Sequence, residues 1–155
     1  MDNRPIGVFD SGIGGLTVVD ALTKRLPEET IVYVGDTARV PYGNKSKNRI
    51  QQYAQEITSW LSKEDCKIII VACNTASALA LKHLESIFSM PIIGVIESGV
   101  NKGIQMCQNN RIAILGTAAT IRSNVYVEKI NAVKPEAFVI SQACPLFVPL
   151  AEEGW

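Results

Sequence analysis

Ile68-Ile69-Ile70-Val71-Ala72-Cys73-Asn74-Thr75-Ala76-Ser77 sets an apolar, mostly β-branched run directly against a cysteine, an amide and two hydroxyls. A run this short and this apolar fits a strand buried on both faces. The pattern turns helical from about Ser77. Cys73 therefore stands where a buried strand ends and a helix begins, the usual place of chemistry in an open α/β sheet. The helix start offers unpaired N–H groups and a partial positive charge. Both favour the thiolate, which is the reactive form of cysteine. With Asn74 and Thr75 beside it, Cys73 is expected to lie in an active-site loop whose chemistry needs no cofactor.

The same alternation runs outward in both directions. Pro5 to Phe9 reads as a strand ending at Asp10, and Gly12, Gly14 and Gly15 form a permissive turn. Leu16 to Leu26 has a helical period, and Thr30 to Val34 is a β-branched strand. After the loop Gly35 to Lys45, Ser46 caps a helix with Ile50, Tyr53, Ala54, Ile57, Trp60 and Leu61 on one face. Beyond Cys73 the spacing predicts a helix over 77–89, a strand over 91–96 and a helix over 100–107. A strand over 111–115, a helix over 121–133 and a strand over 137–143 complete the pattern. Strands alternating with helices predict a parallel, doubly wound α/β lobe of the Rossmann or flavodoxin kind, over 1–97. Residues 98–155 are expected to form part of a second similar lobe.

Composition narrows the function classes. Fifteen basic and fifteen acidic side chains cancel over the 155 residues, and no basic stripe points to nucleic acid or an anionic membrane. The start Met1-Asp2-Asn3-Arg4-Pro5 lacks a signal-peptide core, and no apolar run approaches the roughly 18 residues of a membrane span. A cytoplasmic protein is expected. Cys66, Cys73, Cys107 and Cys144 are too irregularly spaced for a zinc site, and the single histidine, His83, is not paired at ligand spacing. All four cysteines are expected as free thiols, and no metal or cofactor is expected. Cys66 and Cys107 read as small buried hydrophobes. His83 falls on the polar side of its helix.

Four loops at strand ends carry small polar residues: Asp10-Ser11-Gly12, Asp36-Thr37-Ala38, Cys73-Asn74-Thr75 and Gly116-Thr117. In a doubly wound sheet they converge on one crevice, suited to a small polar ligand with carboxylates. Asp10-Ser11-Gly12-Ile13-Gly14-Gly15 is neither a dinucleotide fingerprint nor a phosphate loop. Asp10 either caps a tight turn or, with Ser11, grips an ammonium group or orients the thiol. Tyr42 and the Gly43 amide are either plain turn residues or contacts for a ligand carboxylate. Thr117 and Thr120 stand at a helix start, where capping accounts for one of them.

Taken together, these segments resemble the glutamate racemases of bacterial cell-wall synthesis. The likeness rests on Gly7 to Thr17, Gly35 to Gly43, Val71 to Ser77, Gly94-Val95-Ile96-Glu97, Gly116 to Ile121 and Ala143 to Leu150. The resemblance implies interconversion of L- and D-glutamate without metal or pyridoxal phosphate, by two cysteines on opposite faces of the substrate. It implies that Cys73 is one acid/base, assisted by Asp10. It also implies that Asp10, Ser11, Tyr42, Gly43, Asn74 and Thr75 bind substrate, with Thr117 and Thr120 on the other lobe and Glu152 near the site. The family's second cysteine lies in a Gly-Cys-Thr-His segment that has no match here, and Cys144 belongs to a different, preceding segment. The expected function is therefore that of a truncated racemase, with an open sheet face and poor solubility. The alternative is a non-catalytic piece that binds glutamate or a partner chain. Assembly as a homodimer is open.

Overall fold

The computed structural model describes residues 2–154. Strands β1 (Ile6–Asp10), β2 (Ile31–Gly35), β3 (Ile68–Val71) and β4 (Ile92–Gly94) form one sheet in the order β2-β1-β3-β4, and every pairing is parallel. The side chains of β1 and β3 alternate between two covered faces. Phe9, Ile69 and Val71 pack beneath α2 (Lys47–Lys63), α3 (Asn74–Leu79) and α4 (Leu81–Ile87). Ile6, Val8 and Ile70 pack beneath α1 (Leu16–Arg25). The chain leaves β1 for β2 over one face and returns to β3 over the other. The loops after β1 and β3 therefore part on either side of a crevice at the C-terminal strand ends.

A second, two-stranded parallel sheet joins β5 (Arg111–Gly116) to β6 (Phe138–Ala143). Ile112, Ile114 and Val139 face α5 (Ile96–Met106) and α7 (Val125–Val133), with Ile96, Val100 and Ile130 buried between them. On the opposite face Leu115, Phe138 and Ile140 are each more than half exposed, so the expected open face is present. The short helices α6 (Ala118–Arg122) and α8 (Phe147–Glu152) follow β5 and β6.

Several expectations are corrected. The helix expected over 77–89 begins earlier, at Asn74, and breaks at Ala80 into α3 and α4. The helix expected over 121–133 breaks at Asn124, which adopts the left-handed conformation (φ 58°) that asparagine tolerates. Strand β4 stops at Gly94, and Ile96 already belongs to α5. Trp60 is 47% exposed and does not share the buried face of α2. Cys66 is buried, whereas Cys107 is only half-buried. His83 is partly buried as well, its Nε2 lying 3.1 Å from Gln55 Oε1, so it ties α4 to α2 instead of facing solvent. Among the described residues no helix is long and apolar enough to cross a membrane.

Candidate active site

Cys73 stands at the end of β3 as the N-cap of α3, buried, with its sulfur accepting the Ala76 N–H at 3.4 Å. Its thiol points to Ser11 Oγ at 3.4 Å. Ser11 in turn donates to Asp10 Oδ1 at 3.5 Å. Asp10 Oδ2 accepts the Gly15 N–H at 2.7 Å, so the carboxylate does cap the turn into α1 while its other oxygen faces the Ser11–Cys73 pair. The two readings of Asp10 are compatible because a carboxylate has two oxygens to offer.

The electrostatics oppose one expectation. Burial is the main cause that pushes the Cys73 thiol above its ordinary range, and the Asp10 charge adds to it. Hydrogen bonds from Ser11 and the Ala76 N–H work in the other direction and do not prevail. The helix behind the sulfur has six residues, too short a dipole to outweigh desolvation. At neutral pH Cys73 is therefore mainly a thiol, and its thiolate, once formed, is a strong base.

A cleft of about 690 Å³ opens on this group. Asp10, Ser11, Cys73 and Asn74 line one side, and Thr117, Thr120, Tyr126, Cys144 and Glu152 line the other. Thr75, behind the wall, closes a hydroxyl triangle with Thr117 and Thr120, with separations of 2.9, 3.1 and 2.9 Å. Thr117 caps α6, its oxygen accepting the Thr120 N–H. The Glu152 carboxylate rests against Gly12, where a β-carbon would collide with it. Tyr42 does not line the cleft: it is buried, and its phenol donates to Asp36 Oδ2. Gly43 does not line the cleft either. Gly43 lies so close to Thr117 that a β-carbon would come within 2.5 Å of the threonine Cβ.

The structure adds residues that spacing did not single out. Asp36 is buried and takes the Arg39 guanidinium at 2.7 Å as well as the Tyr42 phenol, so it braces the loop that carries Gly43. Arg39 also bridges Glu56 and stacks over the Tyr53 ring at 4.2 Å. Tyr33, on β2, donates to the Gly12 carbonyl at 2.8 Å and braces the Asp10 turn. Burial, with the Asp10 and Cys73 charges, pushes its phenol up to about 12, so it stays a donor. Tyr126, on α7, donates to Asn74 Oδ1 at 2.5 Å. Asp36 sat in a strand-end loop already noted; the others join through contacts far apart in sequence. Among the described residues no group of three or more histidine, cysteine or acidic side chains is placed to hold a metal ion.

The chain is 51% identical to a glutamate racemase of Geobacter metallireducens over 152 residues, which are 98% of this chain and 56% of that protein. A crystal structure of a glutamate racemase isoform from Bacillus anthracis superposes with a TM-score of 0.94 at 38% identity, over 98% of this chain and 57% of the other. A glutamate racemase from Francisella tularensis, crystallised in complex with D-glutamate, gives 0.91 at 46% identity over 99% and 58%. The chain thus spans little more than half the length of the relatives it matches. The profile described as Asp/Glu/Hydantoin racemase matches residues 14–150, and the chain belongs to that family.

Proposed function

We propose that this chain contributes Cys73 and both walls of the cleft around it to a cytoplasmic glutamate racemase, which interconverts L- and D-glutamate without metal or cofactor and supplies D-glutamate for peptidoglycan. Residues 1–97 are read as its first lobe and 98–155 as part of the second. The observation that carries the reading is the buried Cys73 sulfur between Ser11 and the cleft, within the field of Asp10. In the step assigned to it, the minority of Cys73 that has released its proton to solvent acts as thiolate, takes the Cα proton of glutamate and becomes a thiol. The electron pair left on Cα spreads into the substrate carboxylate. Asn74 and the neighbouring hydroxyls, with Thr117 and Thr120, stabilise that charge by donating into it. Return of a proton to the far face needs a second acid, which the family resemblance assigns to a cysteine segment with no match in this sequence.

A second reading is that this chain binds glutamate or a partner chain without catalysis. Proton NMR of D- and L-glutamate in deuterated water, with Cys73→Ser as control, separates them. The expected result is loss of the Cα proton signal from one enantiomer only, abolished in the variant. Exchange with inversion would show a second acid supplied to this chain. No exchange of either enantiomer would overturn the catalytic reading of Cys73 in this chain.

A further inference from the structure

We propose that Tyr126 is a positioning residue: its phenol turns the Asn74 amide so that the Nδ2–H₂ end, and not the carbonyl end, faces the cleft. The proposal deepens the reading above and rests on it, since a ligand carboxylate is what the amide would meet. An asparagine amide has one end that only accepts and one that only donates. Which end faces an anion decides between attraction and repulsion. Asn74 is the first residue of α3, exposed, and lines the same side of the cleft as Cys73. Its exposure leaves little packing to choose its rotamer or its flip. The choice is made by Tyr126, fifty-two residues away on α7, whose hydroxyl lies 2.5 Å from Asn74 Oδ1. Oδ1 carries no hydrogen, so the phenol is the donor, and the accepting end of the amide is taken. Burial pushes the Tyr126 phenol above its ordinary range, which keeps that proton in place across the neutral range. The ring is only partly exposed and sits next to Gly99 of α5, so the donor is held by packing and the amide is held by the donor.

The amide is thereby pre-oriented before a ligand arrives, which spares the ordering cost of a free side chain. The contact also joins the helix that follows β3 to one that follows β5.

The test is a titration of the ¹⁵N-labelled chain with D-glutamate, with the side-chain amide of Asn74 as reporter, in wild type, Tyr126→Phe, Asn74→Ala and the double variant. Tyr126→Phe keeps the ring and its packing, so the melting temperature should fall by only about 2–4 °C while affinity falls about tenfold. The double variant should bind no more weakly than Asn74→Ala alone, because both changes remove one device. Asn74→Asp keeps a partner for the phenol but puts an anion toward the ligand, and binding should be lost. Wild-type affinity in Tyr126→Phe, or additive losses in the double variant, would overturn the proposal. Should wild type itself bind no glutamate, the functional reading fails separately, and the apo spectrum decides the positioning. Displaced Asn74 Nδ2 resonances in Tyr126→Phe support it, and unchanged ones overturn it.

Discussion

The Cys73 sulfur has two polar neighbours that act on it in opposite senses. Asp10 raises the cost of a second negative charge, whereas the Ser11 hydroxyl, which accepts from the thiol at 3.4 Å, lowers that cost by turning to donate once the thiolate forms. Removing each should therefore move the thiol in opposite directions. Asp10→Asn keeps an acceptor for the Gly15 N–H, so the turn should survive, while the charge is gone and the titration midpoint falls. Ser11→Ala removes the donor and the midpoint rises. The ultraviolet absorbance of the thiolate, taken as the difference from Cys73→Ser, reads both, and shifts of the same sign would refute this account. The sign of the stability effect follows from linkage. A thiol whose pKa is raised by folding keeps its proton in the folded state at a pH where the unfolded chain, near about 8.5, has lost it. Its contribution to stability is whole below that pH and fades as pH climbs through the folded value. Cys66, also pushed up by burial, adds to the same slope, which is why the difference from Cys73→Ser is the quantity to follow.

At the scale of elements, the loop from Gly35 to α2 meets α6 through one glycine. A β-carbon at Gly43 would stand 2.5 Å from Thr117 Cβ and 2.8 Å from its Cγ2. Thr117 cannot swing away cheaply, because its hydroxyl caps α6 and closes the triangle with Thr75 and Thr120. Gly43→Ala should cost about 1–3 kcal/mol, as overpacking does, and should weaken any stabilisation by glutamate. Denaturant melts with and without the ligand check both, and wild-type stability would mean that the loop is not seated on α6. Elements of this kind were only partly legible in sequence. The strands were, because a buried β-branched run followed by a small polar turn leaves few alternatives, and Cys73 followed from its place at such an end. The break between α3 and α4 was not, since Ala80 is a good helix former and nothing local marks it. What surrounds it is tertiary: Ser77 Oγ donates to the Val71 carbonyl and accepts the Val95 N–H, tying α3 to two strand ends. The break at Asn124 was legible in principle, from an asparagine that tolerates the left-handed conformation next to Ser123. Tyr33 and Tyr126 entered the site through partners 21 and 52 residues away, a relation that neither periodicity nor spacing encodes.

On the scale of the whole molecule the two sheets are unequally built. The four-stranded sheet has a covered core on both faces, from Phe9, Tyr42, Ile50, Leu61 and Ile69 on one to Ile6 and Val8 on the other. The two-stranded sheet has one covered face, with Ile96, Val100 and Ile130 as its fully buried members, and leaves Leu115, Phe138 and Ile140 to solvent. A two-stranded ribbon with one packed face buries little apolar area per ordered residue, so its opening should be cheaper than global unfolding. The polar contacts that tie it to the first sheet, the Thr75–Thr117–Thr120 triangle and the Tyr126–Asn74 bond, contribute on the order of 1 kcal/mol each and cannot make up that deficit. Native-state hydrogen exchange should show this as two classes. Amides of β1 and β3, central in their sheet, should exchange only through global unfolding and respond steeply to low denaturant. Amides of β5 and β6 should exchange through a smaller opening with a shallower response. Because that opening separates Thr117 and Tyr126 from Thr75 and Asn74, it dismantles the far wall of the cleft while leaving Cys73 seated on β3. Glutamate, if it spans the two walls, should slow exchange in β5 and β6 more than in β1 and β3. Equal protection of both sheets, or a ligand effect confined to β1 and β3, would show that the molecule opens as a single unit and that the cleft has only one working wall.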